Sequence, residues 1–211
     1  MRFRPQSRAT LLAEVADQLA DRPARTWTRV LVDGAPPTDP GGLAGELTEQ
    51  LRVRGRATLA VSANDFLRPA SLRFEHGRTD TDARYTDWVD FAALRREVLS
   101  PLEPGGAGKV LPSLWDAAAD RASRADYVEL PPGGVLVLFG DMLVGRGLPV
   151  DYTLHLWLSR AALVRRTPED LAWTIDAFVR YHTEASPLLV ADTAVRVDDP
   201  AHPAVYEHDP T

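Results

Sequence analysis

The chain has 211 residues, of which 45% are hydrophobic, and it carries a net charge of −6 and no cysteine. A chain of this size can bury one sizeable core, so we expect a single domain over residues 1–211. The acidic balance gives no electrostatic basis for binding nucleic acid or an anionic membrane. The lack of cysteine excludes disulfides and thiolate metal sites.

The first residues, Met-Arg-Phe-Arg-Pro-Gln, lack the apolar core of a signal peptide. No apolar run approaches the length that spans a membrane. These features predict a cytoplasmic protein. The five histidines show no metal-ligand spacing, so no metal site is predicted.

Helical and strand patterns alternate along the chain. Apolar residues at helical spacing predict helices over 11–19 (with Thr10 as the cap), 43–55, 91–99, 161–166 and 169–182. Apolar runs predict strands at Thr28–Asp33, Ala57–Ser62, Val135–Phe139, Tyr152–Leu158 and Leu189–Val197. Residues 63–88 are expected to be irregular, 109–130 carry no clear pattern, and 203–211 read as a flexible tail. The alternation predicts a three-layer α/β fold, a parallel sheet flanked by helices.

The segment after the first predicted strand has the layout of a phosphate-binding loop. An apolar run ends at Gly34 and an amphipathic helix follows shortly afterwards, which is the context in which G-x-x-x-x-G-K-[ST] cradles phosphates. Counted from Gly34, the second glycine falls on Asp39, the lysine on Pro40 and the Ser/Thr on Gly41. Every residue that would contact phosphate or magnesium is therefore exchanged.

These exchanges remove the chemistry that such a loop needs. Backbone N–H groups would hold the phosphates, but positions 36, 37 and 40 are prolines, which have no N–H. The carboxylate of Asp39 would repel a phosphate. Asp39-Pro40 is also typical of a helix start, with Asp as N-cap and Pro at the first helical position. We predict a self-capped helix start over Asp39–Gly42, without bound phosphate or ATP.

Seven segments, taken in their order and spacing, carry a family resemblance: 32–34, 43–47, 61–69, 84–94, 99–102, 135–140 and 191–200. Together they resemble the uridine kinase-like branch of the P-loop kinases. The resemblance implies a P-loop NTPase fold of the nucleoside kinase type, and ATP- and magnesium-dependent phosphorylation of a nucleoside or sugar.

The chain departs from this family at the positions that the resemblance marks as catalytic. Asn64 stands where the family has the aspartate that takes the proton from the acceptor hydroxyl. An amide cannot act as a base, which removes a contribution of about 10²–10⁴-fold. Phe139 stands where the family has an acidic residue that helps to hold magnesium. Asp65 and Asp141 are nearby carboxylates, but we assign no catalytic residue and no cofactor; ATP and magnesium enter only if the chain is an active kinase.

An acceptor-side pocket is predicted from the irregular stretch. The resemblance also relates Arg166 loosely to the family's lid, the segment whose arginines embrace the donor phosphates. Asp87 matches the family position that contacts sugar hydroxyls, and aromatic and hydrogen-bonding groups together suit a nucleoside or sugar. In the alternative interpretation, Tyr85 and Trp88 pack the stretch onto the core and the arginines are solvated. The predicted ligand-binding residues are Asp65, Arg68, Arg78, Tyr85, Asp87, Trp88 and Arg166.

Three hypotheses from different classes remain at this point. The first is a catalytically degenerate kinase-fold protein that binds a nucleoside- or sugar-like ligand, or a protein partner, without phosphoryl transfer. The second is a nucleoside or sugar kinase with an altered donor site. The third is an enzyme with different chemistry in the retained acceptor pocket. The exchanged residues Asp39, Pro40, Asn64 and Phe139 favour the first, and the oligomeric state is left open.

Overall fold

The structure is a computed structural model that describes residues 2–207. Its central element is a seven-stranded sheet in the order β1-β11-β10-β9-β2-β8-β3. The strands of this sheet are β1 Arg2–Pro5, β2 Thr28–Gly34, β3 Thr58–Ser62, β8 Val135–Gly140, β9 Tyr152–Trp157, β10 Thr193–Arg196 and β11 Ala204–Glu207. Strands β10, β9, β2, β8 and β3 are parallel, which confirms the predicted parallel sheet.

Helices flank the sheet, as predicted. Helix α1 packs against α2, and α2 contacts β2, β3 and β8. The helices are α1 Arg8–Ala20, α2 Pro40–Val53, α3 Ala70–Arg73, α4 Thr81–Thr86, α5 Phe91–Ala93, α6 Arg160–Arg166, α7 Ile175–Glu184 and α8 Pro187–Val190. A π-helical segment, Leu94–Leu99, continues α5, and a 3-10 turn, Glu169–Thr174, precedes α7.

The two ends of the described chain form an antiparallel addition to one sheet edge. Strand β1 pairs with β11, and β11 pairs with β10. The predicted flexible tail is therefore wrong for Ala204–Glu207, whose Tyr206 ring contacts Phe3 of β1. The rest of that tail, 208–211, lies outside the described residues. Neither short strand has enough apolar alternation to be recognised from sequence.

Three local predictions differ from the structure. The first helix begins earlier, because the side chain of Ser7, not Thr10, is the N-cap and accepts from the Thr10 backbone N–H. The predicted final strand is shorter, because Pro187 starts a helical turn over Pro187–Val190 and the strand begins only at Thr193. The strand at Ala57–Ser62, predicted from its apolar run to be buried, is the sheet edge, so of the residues of β3 only Val61 is fully buried.

The segment with no clear pattern, 109–130, forms two small antiparallel pairs. Strands β4 Lys109–Val110 and β7 Val128–Glu129 make the outer pair, and β5 Trp115–Asp116 and β6 Arg121–Ala122 make the inner one. The inner pair is called the β5–β6 hairpin below. Two-residue strands are too short to leave a periodic pattern in the sequence.

Candidate functional site

The candidate site lies where the parallel strands end. Phe139 of β8 is in register with Val32 of β2 on one side and with Ser62 of β3 on the other. The loop that follows β2 and the 3-10 turn Ala63–Phe66 that follows β3 therefore emerge on either side of Phe139. In open α/β sheets, ligands bind in the crevice at this carboxyl edge.

Most backbone N–H groups of the loop after β2 donate to acceptors within the loop itself. Residues 36–43 contain three prolines and hence five N–H groups. The N–H groups of Thr38 and Asp39 donate to the carbonyls of Ala35 and Pro36, at 2.8 and 3.0 Å. Those of Gly42 and Leu43 donate to the side chain and the carbonyl of Asp39 (2.9 and 3.2 Å). Four of the five donors are thus bound within the loop, whereas a phosphate cradle leaves such groups open.

Asp39 caps helix α2 from a left-handed conformation, with φ 58° and ψ 60°. Asp is among the few non-glycine residues that tolerate this region. A Cβ on Gly42 would lie 2.0 Å from Oδ2 of Asp39, so the cap requires glycine at that position. Pro40 follows as the first helical residue. The predicted self-capped helix start is confirmed.

Phe139 and Gly41 are in direct contact. Cε2 of the Phe139 ring lies 3.2 Å from the position that a Cβ on Gly41 would take. In the family that the sequence resembles, these two positions carry the acidic residue and the hydroxyl that serve magnesium. Here an aromatic ring fills the space between β8 and the start of α2, and neither residue offers an oxygen ligand. The residues present therefore do not fit a magnesium ion at this place.

Two cavities border the loop. The first, between the loop and the last strands, is lined by Thr38, Leu43, Arg166 and Val197 among others and holds about 30 Å³, which suits a water molecule or two. The second is lined by Pro36, Pro37, Arg166 and Phe178 among others and holds about 240 Å³. Arg166 donates to the carbonyls of Pro37 and Val197. Its guanidinium group thus connects the loop to the end of β10, and the predicted role of Arg166 toward a ligand stays a prediction.

Three of the predicted acceptor-side residues, Arg68, Asp87 and Trp88, contact other side chains of the protein. Arg68 and Asp87 form a partly exposed ion pair at 3.5 Å. Trp88 lies between the rings of Phe74 and Trp173, at centroid distances of 5.6 and 5.8 Å. This contact matches the alternative interpretation, in which Trp88 packs the stretch onto the core.

Tyr85 and Arg78 also make contacts within the protein. Tyr85 is 7% exposed and packs against Tyr181, and the guanidinium groups of Arg146 and Arg180 lie over its ring, at 4.1 and 4.8 Å. Arg78 lies over the Phe74 ring, at 4.9 Å. Asp65 is the only one of the seven predicted residues that lines the large cavity described next.

A cavity of about 770 Å³ opens between the 3-10 turn after β3 and the β5–β6 hairpin; it is called the hairpin cavity below. Its volume is typical of small-molecule sites, which measure roughly 300–1,000 Å³. The sequence analysis missed the residues of the hairpin, and no motif in 109–130 marks them. The residues that line the cavity are Asn64, Asp65, Ser113, Trp115, Asp116, Ala117, Arg121, Ala122, Ser123 and Arg124.

The walls of the hairpin cavity are fixed by hydrogen bonds. The N–H of Leu114 donates to the carbonyl of Asp65 at 2.9 Å, which connects the hairpin to the turn after β3. Asp120 accepts from the N–H of Ala70 (2.8 Å) and from Nε1 of Trp115 (3.2 Å). Burial raises the pKa of Asp65 above its usual value, and the nearby carboxylate of Asp116 contributes to the increase.

A buried polar network lies beneath the loop. Asp33, the next-to-last residue of β2, is 0% exposed. Its carboxylate accepts from the N–H of Leu143 (2.9 Å), from the hydroxyl of Tyr181 (2.6 Å) and from Nδ1 of His155 (2.7 Å). Sequence reasoning gave Asp33 no role; the signal was a carboxylate inside an otherwise apolar strand. The network joins β2, β9, α7 and the segment after β8, and so holds the loop in place.

The carboxylate of Asp141, two residues beyond Phe139, is also bound within the protein. Asp141 accepts from Nη2 of Arg84 through both oxygens, at 2.8 Å, and the two side chains are 9% and 10% exposed. The guanidinium group of Arg84 in turn lies 4.9 Å above the Trp88 ring. Asp141 is thus paired, and it does not replace the acidic residue missing at Phe139.

The mostly parallel sheet flanked by helices, with a strand–loop–helix unit at its carboxyl edge, is also found in solved structures described as kinases. A protein described as a possible uridine kinase from Bacillus stearothermophilus has this fold, with a TM-score of 0.69 and 16% identity over 87% of this chain and 96% of that one. A protein described as a putative fructose transport system kinase from Silicibacter sp. TM1040 is similar with a TM-score of 0.60 and 22% identity, covering 85% and 90% of the two chains. The predicted uridine kinase-like fold is confirmed.

No protein-family model matches the chain, and no curated protein matches it significantly. Within residues 2–207, no helix has both the length and the apolar character needed to cross a bilayer. The same residues contain no group of three or more acidic or histidine side chains placed to hold a metal ion.

Proposed function

We propose that this chain is a kinase-fold protein that does not transfer phosphoryl groups from ATP and that binds a small polar ligand in the hairpin cavity. The observation that carries the proposal is the contact between Gly41 and Phe139. Neither residue has a side-chain oxygen, so neither can bind magnesium at the place where a P-loop kinase holds that ion. Phosphoryl transfer depends on magnesium.

Two further features of the loop support this proposal. The donors of residues 36–43 are bound within the loop by Asp39 and by the preceding turn, so a phosphate would have to break these bonds. The two cavities that border the loop, of about 30 and 240 Å³, are both below the roughly 300 Å³ of the smallest ordinary ligand sites. ATP binding would require a rearrangement of both.

The hairpin cavity supports the ligand-binding half of the proposal. It is large and partly preformed, and it combines an aromatic side chain, Trp115, with charged groups on both walls. A few convergent polar groups beside an aromatic surface are typical of sites for sugar-like and nucleoside-like molecules. The two neighbours in the fold named above are described as kinases of uridine and of a sugar transport system, which supports a ligand of this class.

A second function, acid–base chemistry in the hairpin cavity, is favoured by one observation. The pKa of Asp65 is raised by burial and by Asp116, and a carboxyl group of this kind can exchange protons with a bound ligand. In this case Asp65→Asn would abolish a reaction without weakening the binding of the ligand.

Calorimetric titration with Mg-ATP tests the first function. We expect no heat of binding at millimolar nucleotide, and no phosphorylation of uridine, cytidine or a panel of sugars. Micromolar binding of Mg-ATP together with phosphorylation of any acceptor would overturn the proposal, and the chain would then be a kinase with an altered donor site.

A further inference from the structure

The hairpin cavity is lined by side chains of both charges. Asp65 and Asp116 contribute carboxylates, and Arg121 and Arg124 contribute guanidinium groups. Asp116 and Arg121 are cross-strand partners in the hairpin, whereas Asp65 lies on the facing turn. The two cations belong to the hairpin and the segment that leaves it. A ligand that fills the cavity therefore meets two acceptors and two cationic donors.

Within residues 2–207, the side chains of Arg121 and Arg124 form no ion pair, hydrogen bond or ring contact. Most other arginines of the chain are engaged through their side chains. Asp116 is the cross-strand partner of Arg121 but forms no ion pair with it. Unpaired guanidinium groups in a cavity are well suited to bind phosphate or carboxylate through paired N–H donors.

The backbone that carries these cations is fixed. Asp120 and Arg124 both have positive φ values, 48° and 55°, which are uncommon for non-glycine residues. Asp120 is held by the N–H of Ala70. The hydroxyl of Ser123, next to Arg124, donates to the carbonyl of Ser113 at 2.6 Å. The hairpin thus places the backbone of both exposed arginines at the rim of the cavity.

The carboxylates suit the other part of a ligand. One oxygen of Asp116 accepts from the N–H groups of Ala118 and Ala119, both at 3.0 Å. No side-chain bond from the carboxylate of Asp65 is present within residues 2–207. Carboxylates that retain acceptor capacity bind sugar hydroxyls, which can donate to them.

We infer that the hairpin cavity binds a phosphate monoester of a sugar, with the sugar hydroxyls toward Asp65 and Asp116 and the phosphate toward Arg121 and Arg124. The inference rests on the proposed function, since it names the ligand class of the same cavity. It implies that the ligand arrives already phosphorylated, as the product of a separate phosphoryl-transfer reaction. Trp115 would cover the sugar or stack on an attached base.

Calorimetric titration of the intact chain with four probes tests the inference. The phosphorylated probes are ribose 5-phosphate and uridine 5′-monophosphate, and ribose and uridine are their unphosphorylated parents. Each phosphorylated probe is expected to bind at least about tenfold more tightly than its parent, because hydrogen bonds between charged groups are stronger than those between neutral groups. The stronger of the two identifies whether a base is part of the ligand.

Variants of Arg121 and Arg124 test whether these two cations cause the preference for the phosphorylated probes. Arg121→Gln combined with Arg124→Gly should remove the preference; glycine also suits the positive φ at position 124. Arg95→Gln is the matched control, because Arg95 is exposed and unpaired but lies outside the cavity, and it should leave the preference unchanged. Circular dichroism of each variant confirms folding.

Several results would overturn the inference. They are equal affinity for phosphorylated and unphosphorylated probes, an unchanged preference in the double variant, inorganic phosphate binding as tightly as either monoester, or no binding of either monoester at millimolar concentration. A separate titration with Mg-ATP keeps the two proposals distinguishable. Micromolar ATP binding together with phosphorylation of an acceptor contradicts the proposed function alone, and the ligand class of the cavity is judged only by the four probes.

Discussion

The ring of Phe139 lies against the backbone of Gly41, with Cε2 3.2 Å from the position that a Cβ there would take. The two residues come from different elements, β8 and α2. Neither residue has the oxygen that the resemblance assigns to its position. The ring of Phe139 occupies the space that a side chain at position 41 would need. The two exchanges are therefore structurally coupled.

Alanine substitution of two glycines in α2 tests this coupling. Gly45→Ala should stabilise the protein by about 0.5–1 kcal/mol, because nothing lies within 4 Å of its Cβ. Gly41→Ala should stabilise less or destabilise, because Phe139 must shift. In a Phe139→Ala background Gly41→Ala should recover the gain of Gly45→Ala, as measured by urea unfolding. The same effect of Gly41→Ala in both backgrounds would show that the residues are independent.

Restoring the donor loop alone should not create a kinase. Replacing Asp39, Pro40 and Gly41 with Gly, Lys and Thr returns N–H donors, a cation and a magnesium-binding hydroxyl. The acceptor would still lack a base at Asn64, and the metal would lack its acid at Phe139. Adding Asn64→Asp and Phe139→Asp should raise the rate more than additively, since such groups act as a unit. Steady-state assays with uridine, cytidine and sugars measure this, and turnover by the loop variant alone at the rate of the full variant would contradict it.

The stability of the protein should fall in mildly acidic solution because of His182. Burial, with a smaller contribution from His155, lowers the pKa of His182 from 6.5 to about 4. Between these values the unfolded chain binds a proton that the folded chain does not, so stability falls as the pH drops from 6.5 to 4. The difference, 6.5 minus about 4, corresponds to about 3 kcal/mol.

Unfolding midpoints of three proteins measured across this pH range test the assignment to His182. His182→Gln should reduce the loss of stability relative to the unmodified protein. His76→Gln, at an exposed position, should behave like the unmodified protein. If His182→Gln and His76→Gln both lose as much stability as the unmodified protein between pH 6.5 and 4, protonation of His182 is not the cause of the loss.

The buried network around Asp33 should be costly to disturb. Asp33→Asn turns one acceptor into a donor among the three groups that now donate to the carboxylate, and we expect a loss of about 3 kcal/mol. Tyr181→Phe removes one member and should cost about 1–2 kcal/mol. Tyr127→Phe, which breaks an exposed hydrogen bond to Glu97, should cost little. Chemical unfolding gives all three values, and equal losses for Tyr127→Phe and Asp33→Asn would refute the role of the network.

Much of the fold could be predicted from the sequence because its signals are local. Strands β2 and β8 are buried in the centre of the sheet, and such strands appear as continuous apolar runs. The start of α2 could also be predicted, because Asp39 and Pro40 provide the cap and the first helical residue at adjacent positions. Helix α8 was missed because the apolar residues Leu189 and Val190 resemble a strand, although they are more than half exposed.

The site depends on contacts between distant parts of the chain. His155 and Asp33 are 122 residues apart in sequence, and a carboxylate and a histidine so far apart give no shared pattern. The same holds for Asp65 and the hairpin residues from Trp115 to Arg124, which form one cavity only because the hairpin folds over the turn after β3. The sequence by itself determined that the phosphate-binding residues of the loop are exchanged, because the residues of that loop follow one another along the chain. Only the tertiary structure decided that Phe139 meets Gly41 and that the arginines of the hairpin face the cavity, because those contacts come from packing between elements, which local spacing does not encode.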